Sequence, residues 1–208
     1  RPEQAEALVN AVLRAGEHLL ELINDVLDLR RVEEGRAALT LVPLSLADTL
    51  GSTLELLRPL ADGHGVTLHD RLVPGLAVCA DPQRLRQVLM NIVSNAIKYN
   101  RAGGWVDVSC RVVDAGDVAI DVQDSGSGLD AQQLARLFQP FERLGHEGSA
   151  IEGSGLGLVI ARSLVDEMHG RLSLSSEPGA GTCATIALPR AELPQALATG
   201  VVNSFMSS

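Results

Sequence analysis

Three stretches of this chain carry residues whose types and spacing could do chemistry. Asn91, Asn95 and Lys98 stand at i, i+4 and i+7. At ~100° per residue that spacing lines them up as one stripe on a helix. A solvated helix face is ordinarily rich in Glu, Arg and Lys. This one holds two amides and the single Lys among 17 basic residues. Amide oxygens suit Mg²⁺, and a compact ammonium suits a phosphate. The second stretch begins at Asp124, which shares parity with Val118, Ile120 and Val122. On a strand this parity aims the carboxylate to the core side, where it needs a partner; an adenine amino group is a fitting donor. Gly126, Gly128 and Leu129 follow, the glycines permitting close backbone approach of a ligand. The third stretch is Gly153-Ser154-Gly155-Leu156-Gly157-Leu158, running into a helix. Glycines before a helix N-terminus can turn backbone N–H groups toward an anion. Each stretch also has a plainer reading: a polar helix face, a capped turn and a glycine-bearing loop.

The elements that must position these residues follow from periodicity. Residues 4–30 carry apolar side chains at Val12, Leu19 and Val26 and again at Leu13, Leu20 and Leu27. This seven-residue repeat is a bundle or coiled-coil face that implies a partner helix. Past residue 38 strands and helices alternate. Strands are predicted over 39–44, 66–72, 76–80, 105–113, 118–124, 171–176 and 182–188. Helices are predicted over 45–62, capped by Ser45; over 81–99, opened by Asp81-Pro82; over 131–139; and over 158–168, stopped by Gly170. The stretch 142–157 is long enough for a mobile lid, and beyond Pro189 the pattern dissolves into a tail. The resulting fold class is α+β: one long bundle helix, then a two-layer sandwich with a mixed, mostly antiparallel sheet under three helices.

Composition narrows the function. The 208 residues are 46% hydrophobic and only 2% aromatic, so the core must be aliphatic. Three of the aromatics, Tyr99, Phe138 and Phe141, fall in or beside the chemical stretches, as pocket wall, lid hinge or core. A formal net charge of −9 argues against a nucleic-acid partner. No apolar run is long enough to cross a membrane. Three scattered cysteines, Cys79, Cys110 and Cys183, read as buried thiols in a cytoplasmic setting. The chain opens with Arg, which makes a fragment of a longer protein the expectation. No GxxxxGK[ST] occurs, and the glycine run lacks the dinucleotide pattern because Leu158 stands where Gly is needed.

In this order and spacing, the stretches resemble the catalytic ATP-binding domain of two-component sensor histidine kinases. Asn91-Ile-Val-Ser-Asn95-Ala-Ile-Lys98-Tyr99 resembles the family's N box, and Asp124-Ser-Gly126-Ser-Gly128 its first glycine box. Phe138-Gln-Pro-Phe141 resembles the F box, and Gly153 to Leu158 the second glycine box. His18 to Leu29 is similar to the second helix of the dimerisation hairpin. The resemblance implies a Bergerat-type fold over 37–190, the hairpin's second helix over 1–36 and a flexible tail over 191–208. It implies ATP and Mg²⁺, with Asn95 on the metal assisted by Asn91, and Lys98 and Arg143 on phosphates. Tyr99 would lie near the nucleotide, Asp124 would take the adenine amino group with Thr182 in support, and 126–157 would be the ATP lid. Implied partners are a second copy through the N-terminal helix, a response-regulator receiver domain and an upstream sensor domain.

The resemblance also implies a reaction. Relatives of the gyrase and chaperone type typically carry Glu at the position of Asn91, as a base. Asn cannot take a proton, so transfer to an imidazole is favoured over hydrolysis. Yet none of the five histidines is followed by the acceptor motif of an acidic residue and a Ser/Thr-Pro pair. The acceptor helix is therefore expected to lie outside this chain, with His18 a bundle-surface residue. The aromatic usual after Gly-Thr is replaced around Cys183-Ala184, a matter of sheet packing. Two other readings stand beside this one: a non-catalytic nucleotide-sensing or scaffold module, and an ATPase of the gyrase or chaperone type.

Overall fold

The fold is described from a computed structural model, which covers residues 39–113, 116–142 and 154–193 together with Val9, Val12, Gly16, Leu19, Leu20, Ile23 and Leu27. Those seven are helical and exposed, with Val12 at 65% and Leu20 at 60%. Arg143, Gly153, His18 and the tail beyond residue 193 lie outside the described residues.

The main body runs β1 (Val42–Ser45), α1 (Leu46–His64), β2 (Thr67–Arg71), β3 (Ala77–Ala80), α2 (Pro82–Lys98), β4 (Trp105–Val112), β5 (Asp117–Asp124), α3 (Ala131–Arg136), α4 (Gly157–Glu167), β6 (Arg171–Glu177) and β7 (Gly181–Pro189). Five strands form one sheet in the order β2-β4-β5-β7-β6. β2 runs parallel to β4, and every other pair in it is antiparallel. β1 and β3 form a separate antiparallel ribbon, a division that alternation alone does not reveal. The C-terminal segment rejoins this ribbon: Arg190 bridges Val78, and Ala191 donates its N–H to Ala77 O at 3.0 Å. Residues 190–191 are thus strand-paired, where the sequence pattern reads as the start of a tail.

Helices α1, α2 and α4 lie on one face of the sheet, and the core between them is aliphatic. Leu85, Val88, Leu89, Ile92, Val93 and Ile97 of α2 are buried there. They meet Val106, Val108, Ile120, Val122, Ile186 and Leu188 from the sheet and Leu50, Leu54, Ile160 and Leu164 from the flanking helices. This burial follows from the 3.6-residue period of the helices and the period of two in the strands.

The ends of the helices explain most differences from the predicted bounds. Ser45 caps α1, and Gly65 closes it at φ 64, so Gly63 lies inside the helix. Asp81 caps α2 by accepting from Gln83 N at 3.0 Å and Arg84 N at 3.1 Å, with Pro82 in the first turn. The left-handed residue after α4 is His169, at φ 61, rather than Gly170. Gly170 is needed for another reason. A Cβ there would come within 2.5 Å of Ala187 O and 3.0 Å of a Val165 methyl.

Candidate functional site

The site is assembled where the C-terminal half of α2, the end of β5 and the start of β7 meet. The core stripe of α2 turns its other face outward, so Asn91, Asn95 and Lys98 remain half-buried along one side of the helix. Asn91 Nδ2 donates to Gly157 O at 3.1 Å. That bond ties α2 to the first residue of α4 and engages the amide NH2 of Asn91 rather than its side-chain oxygen, which is a hard donor. Lys98 sits in the last turn of α2, and Tyr99 is its C-cap.

Asp124 ends β5, and its half-buried carboxylate is held in place by main chain. Oδ1 accepts from Gly126 N at 2.8 Å and from Thr182 N at 3.2 Å. Burial pushes its pKa above the ordinary value, partly offset by those two N–H groups. The Thr182 contact is made by its backbone; its hydroxyl pairs with Ser176 Oγ at 2.9 Å. Ser176 Oγ also accepts from Leu129 N at 2.8 Å and donates to Gly181 O at 2.9 Å. Ser176 thus joins the loop after Asp124 to the β6–β7 hairpin. Nothing in the sequence marks it, because a Ser in a strand gives no signal of what lies across the turn.

The glycines after β5 serve close packing of the chain on itself. A Cβ on Gly126 would come within 2.9 Å of both Asp124 Oδ1 and Tyr99 O. One on Gly128, at φ 66, would collide with the Glu177 carbonyl. Where a Cβ would sit, the space beside both glycines is filled by protein. The same holds at Gly155, φ 72, where a Cβ would lie 2.9 Å from the Phe141 backbone. Ser154 Oγ accepts from Leu156 N at 3.1 Å, and Leu156 is fully buried in the core. Gly157 packs against the Asn91 side chain, and Leu158 is partly buried against the core.

The three aromatics differ in their surroundings. Phe138 packs on the core, with the Arg162 guanidinium 4.9 Å from its ring centroid, a cation–π contact. Phe141 is 63% exposed and adopts φ 64, an uncommon conformation for a bulky residue. Tyr99 stays half-buried beside Gly126. Among the described residues, no group of three or more His, Cys, Asp or Glu could hold a metal. The donors that fit a divalent ion are instead the amide oxygens of α2, hard ligands of the kind Mg²⁺ accepts when phosphates complete its shell. No helix among the described residues is long and apolar enough to cross a membrane.

Comparison with known proteins gives the family and the fold. Residues 80–192 match the family described as histidine kinase-, DNA gyrase B-, and HSP90-like ATPase. The histidine protein kinase DivJ of Caulobacter vibrioides is 38% identical over 89% of this chain and 31% of its own length. The sensor protein GacS of Pseudomonas syringae pv. syringae is 38% identical over 94% of this chain and 22% of its own. The chain thus spans under a third of the length of these relatives. Among solved structures, full-length ShkA in complex with AMPPNP superposes with a TM-score of 0.79 at 32% identity, over 90% of this chain and 39% of that one. With its amide-bearing helix and its half-buried strand-end carboxylate both inside the matched span, the chain belongs to the histidine kinase-, DNA gyrase B- and HSP90-like ATPase family, as a sensor histidine kinase catalytic ATP-binding domain.

Proposed function

We infer that the chain binds ATP with Mg²⁺ and places its γ-phosphate for transfer to a histidine, from which it passes to an aspartate of a response-regulator receiver domain. The observation that carries this reading is Asp124: a half-buried carboxylate with one oxygen engaged by Gly126 and Thr182 N–H groups and the other available to the adenine amino group. Asn95 and Asn91 would serve as metal-binding amides, and Lys98 and Arg143 as the cations for the phosphates. Tyr99 lies beside the nucleotide, and Gly153 to Leu158 closes the lid end. The complex of ShkA with AMPPNP supports the choice of nucleotide.

A bound Mg²⁺ would neutralise charge building on the phosphates. The chain's own residues orient the nucleotide. In the transfer the bond from the γ-phosphorus to the ADP oxygen breaks and a bond to an imidazole nitrogen forms, so positioning and charge stabilisation do most of the work. Asn91 supports transfer over hydrolysis, since it holds α4 through its amide and offers no base to activate water. The acceptor comes from a hairpin helix outside this chain. The exposed apolar residues Val9, Val12, Leu19, Leu20, Ile23 and Leu27 support pairing of the N-terminal helix in a homodimer. An upstream sensor domain and a cytoplasmic setting complete the reading.

The test is calorimetric titration of the 208-residue chain with Mg²⁺-ATP. Asp124→Asn sets an amide donor against the adenine amino group, and Asn95→Ala removes a metal ligand. Each is expected to weaken binding by about 10- to 100-fold, the worth of a hydrogen bond to a charged group. Wild-type affinity in both variants would refute the site. Adding a separate acceptor hairpin should then yield phosphohistidine on the hairpin and none on His18.

A further inference from the structure

Asn100 follows the last residue of the amide-bearing stretch, and nothing in its sequence position marks it. In the structure it makes the full complement of hydrogen bonds open to an Asn side chain. Nδ2 donates to Ala96 O at 3.1 Å and to Trp105 O at 2.9 Å. Oδ1 accepts from Arg101 N at 2.9 Å and from Ser125 Oγ at 3.2 Å. Ser125, only 5% exposed, also accepts from Trp105 N at 2.8 Å, and its own N–H donates to Trp105 O at 3.1 Å. The network is closed on the far side by Gly104, where a Cβ would collide with Asn100 Oδ1 and lie 2.8 Å from Ser125 Oγ.

Asn100 has every side-chain donor and acceptor engaged, and the buried Ser125 Oγ both donates and accepts within the network. Their effect is internal. Asn100 joins the end of α2 to the start of β4 and, through Ser125, to the residue next to Asp124. The turn after Asp124 rests on the same point, since a Cβ on Gly126 would meet Tyr99 O at 2.9 Å and Asn100 Cα at 3.5 Å.

We propose that Asn100, acting with Ser125, is a positioning residue that sets the separation between the purine-binding carboxylate of Asp124 and the metal-binding amides of α2. This rests on the nucleotide reading above. The carboxylate is oriented separately by Gly126 and Thr182, and the amides belong to a helix whose core face is fully packed. Loss of the link therefore leaves each half of the site intact and changes only their relation. A ligand spanning both halves feels that change; a ligand occupying one half does not. Reacting groups misplaced by 1 Å lose on the order of 100-fold in rate, so a small shift is enough to matter.

The experiment compares ATP with adenosine on the 208-residue chain and on Asn100→Ala and Ser125→Ala. Mg²⁺-ATP is titrated directly, and adenosine is measured by displacement of a fluorescent adenine nucleotide. Both variants are expected to melt cooperatively, to bind ATP about tenfold more weakly and to hold adenosine within about twofold of wild type. Equal weakening of the two ligands, or unchanged ATP affinity, would overturn the proposal. If Asn100→Ala does not fold, Ser125→Ala decides alone, because it keeps the Asn100 bonds to Ala96 and Trp105 and cuts the link toward Asp124 together with the Trp105 N–H bond to Ser125 Oγ. A wild-type chain that binds no ATP sinks the nucleotide reading itself, an outcome distinct from these.

Discussion

At the scale of single residues, Asp124 combines two demands of opposite sign. Burial raises its pKa, and the Gly126 and Thr182 N–H groups pull it partway back. Only the ionised form accepts freely from those donors and from an adenine amino group. ATP affinity is therefore expected to fall as pH drops through a midpoint above the ordinary carboxylate range, read from titrations across pH. Stability shifts the other way. A carboxylate with a raised native pKa contributes stability that is fully present below its unfolded pKa and lost as pH rises through the native one. Thermal melts of wild type and Asp124→Asn should show the variant gaining on wild type as pH rises through that midpoint. Asp124 was legible from strand parity alone, whereas Ser176 and Asn100 were not. Their partners lie across turns and on other elements, and no local pattern encodes a contact of that kind. Cys110 illustrates the inert case: burial first, then the Asp121 and Asp70 charges, push its thiol to about 12.

At the scale of elements, the best-specified piece is α2. Its Asp81-Pro82 start, its apolar stripe and its amide stripe were all readable, and the observed helix departs from the expected one by a single residue at each end. Asp81 does more than cap. It also accepts from Thr40 N at 3.0 Å, pinning the chain that enters β1 to the start of α2. Burial tends to raise its pKa, but the N–H groups of Thr40, Arg84 and Gln83 and the Arg84 charge together lower it. A depressed carboxylate contributes stability above its unfolded pKa and loses it as pH falls through the native value. Asp81→Ala is expected to cost about 1 kcal/mol at neutral pH, as for other N-cap losses. The gap to wild type should narrow in acid, measured by denaturant melts at both pH values. The short α3 is the opposite case. Its capping box, with Asp130 and Gln133 each bonded to the other's backbone, sets where it starts, but none of its residues is buried. It therefore ends at Arg136, short of the predicted bound.

At the scale of the whole molecule, nucleotide and fold should be linked. The site joins α2 to β5 and, through Asn91, to α4, so ligand bound there favours the folded state of the main body. At a concentration about 100 times the Kd, that linkage is worth about 2.7 kcal/mol. For a chain of this size it corresponds to a rise in melting temperature of about 5–10 °C. Differential scanning fluorimetry with ATP and Mg²⁺ should show this rise, and chelation of the metal should remove most of it. No shift at saturating ATP would count against the site.

The sequence by itself determined the periodic parts: the aliphatic core stripes, the strands, the helix starts and the order of the chemical stretches. Each of these is written in spacing along the chain, which backbone geometry converts into direction. Only the tertiary structure decided the separate β1–β3 ribbon, the return of Arg190 and Ala191 to it, the close contacts at Gly126, Gly128, Gly155 and Gly170, and the hydrogen-bonded links that hold Asp124 opposite α2. Those depend on which distant backbone atoms come within about 3 Å of one another, and that is settled when the layers pack rather than by any local run of residues.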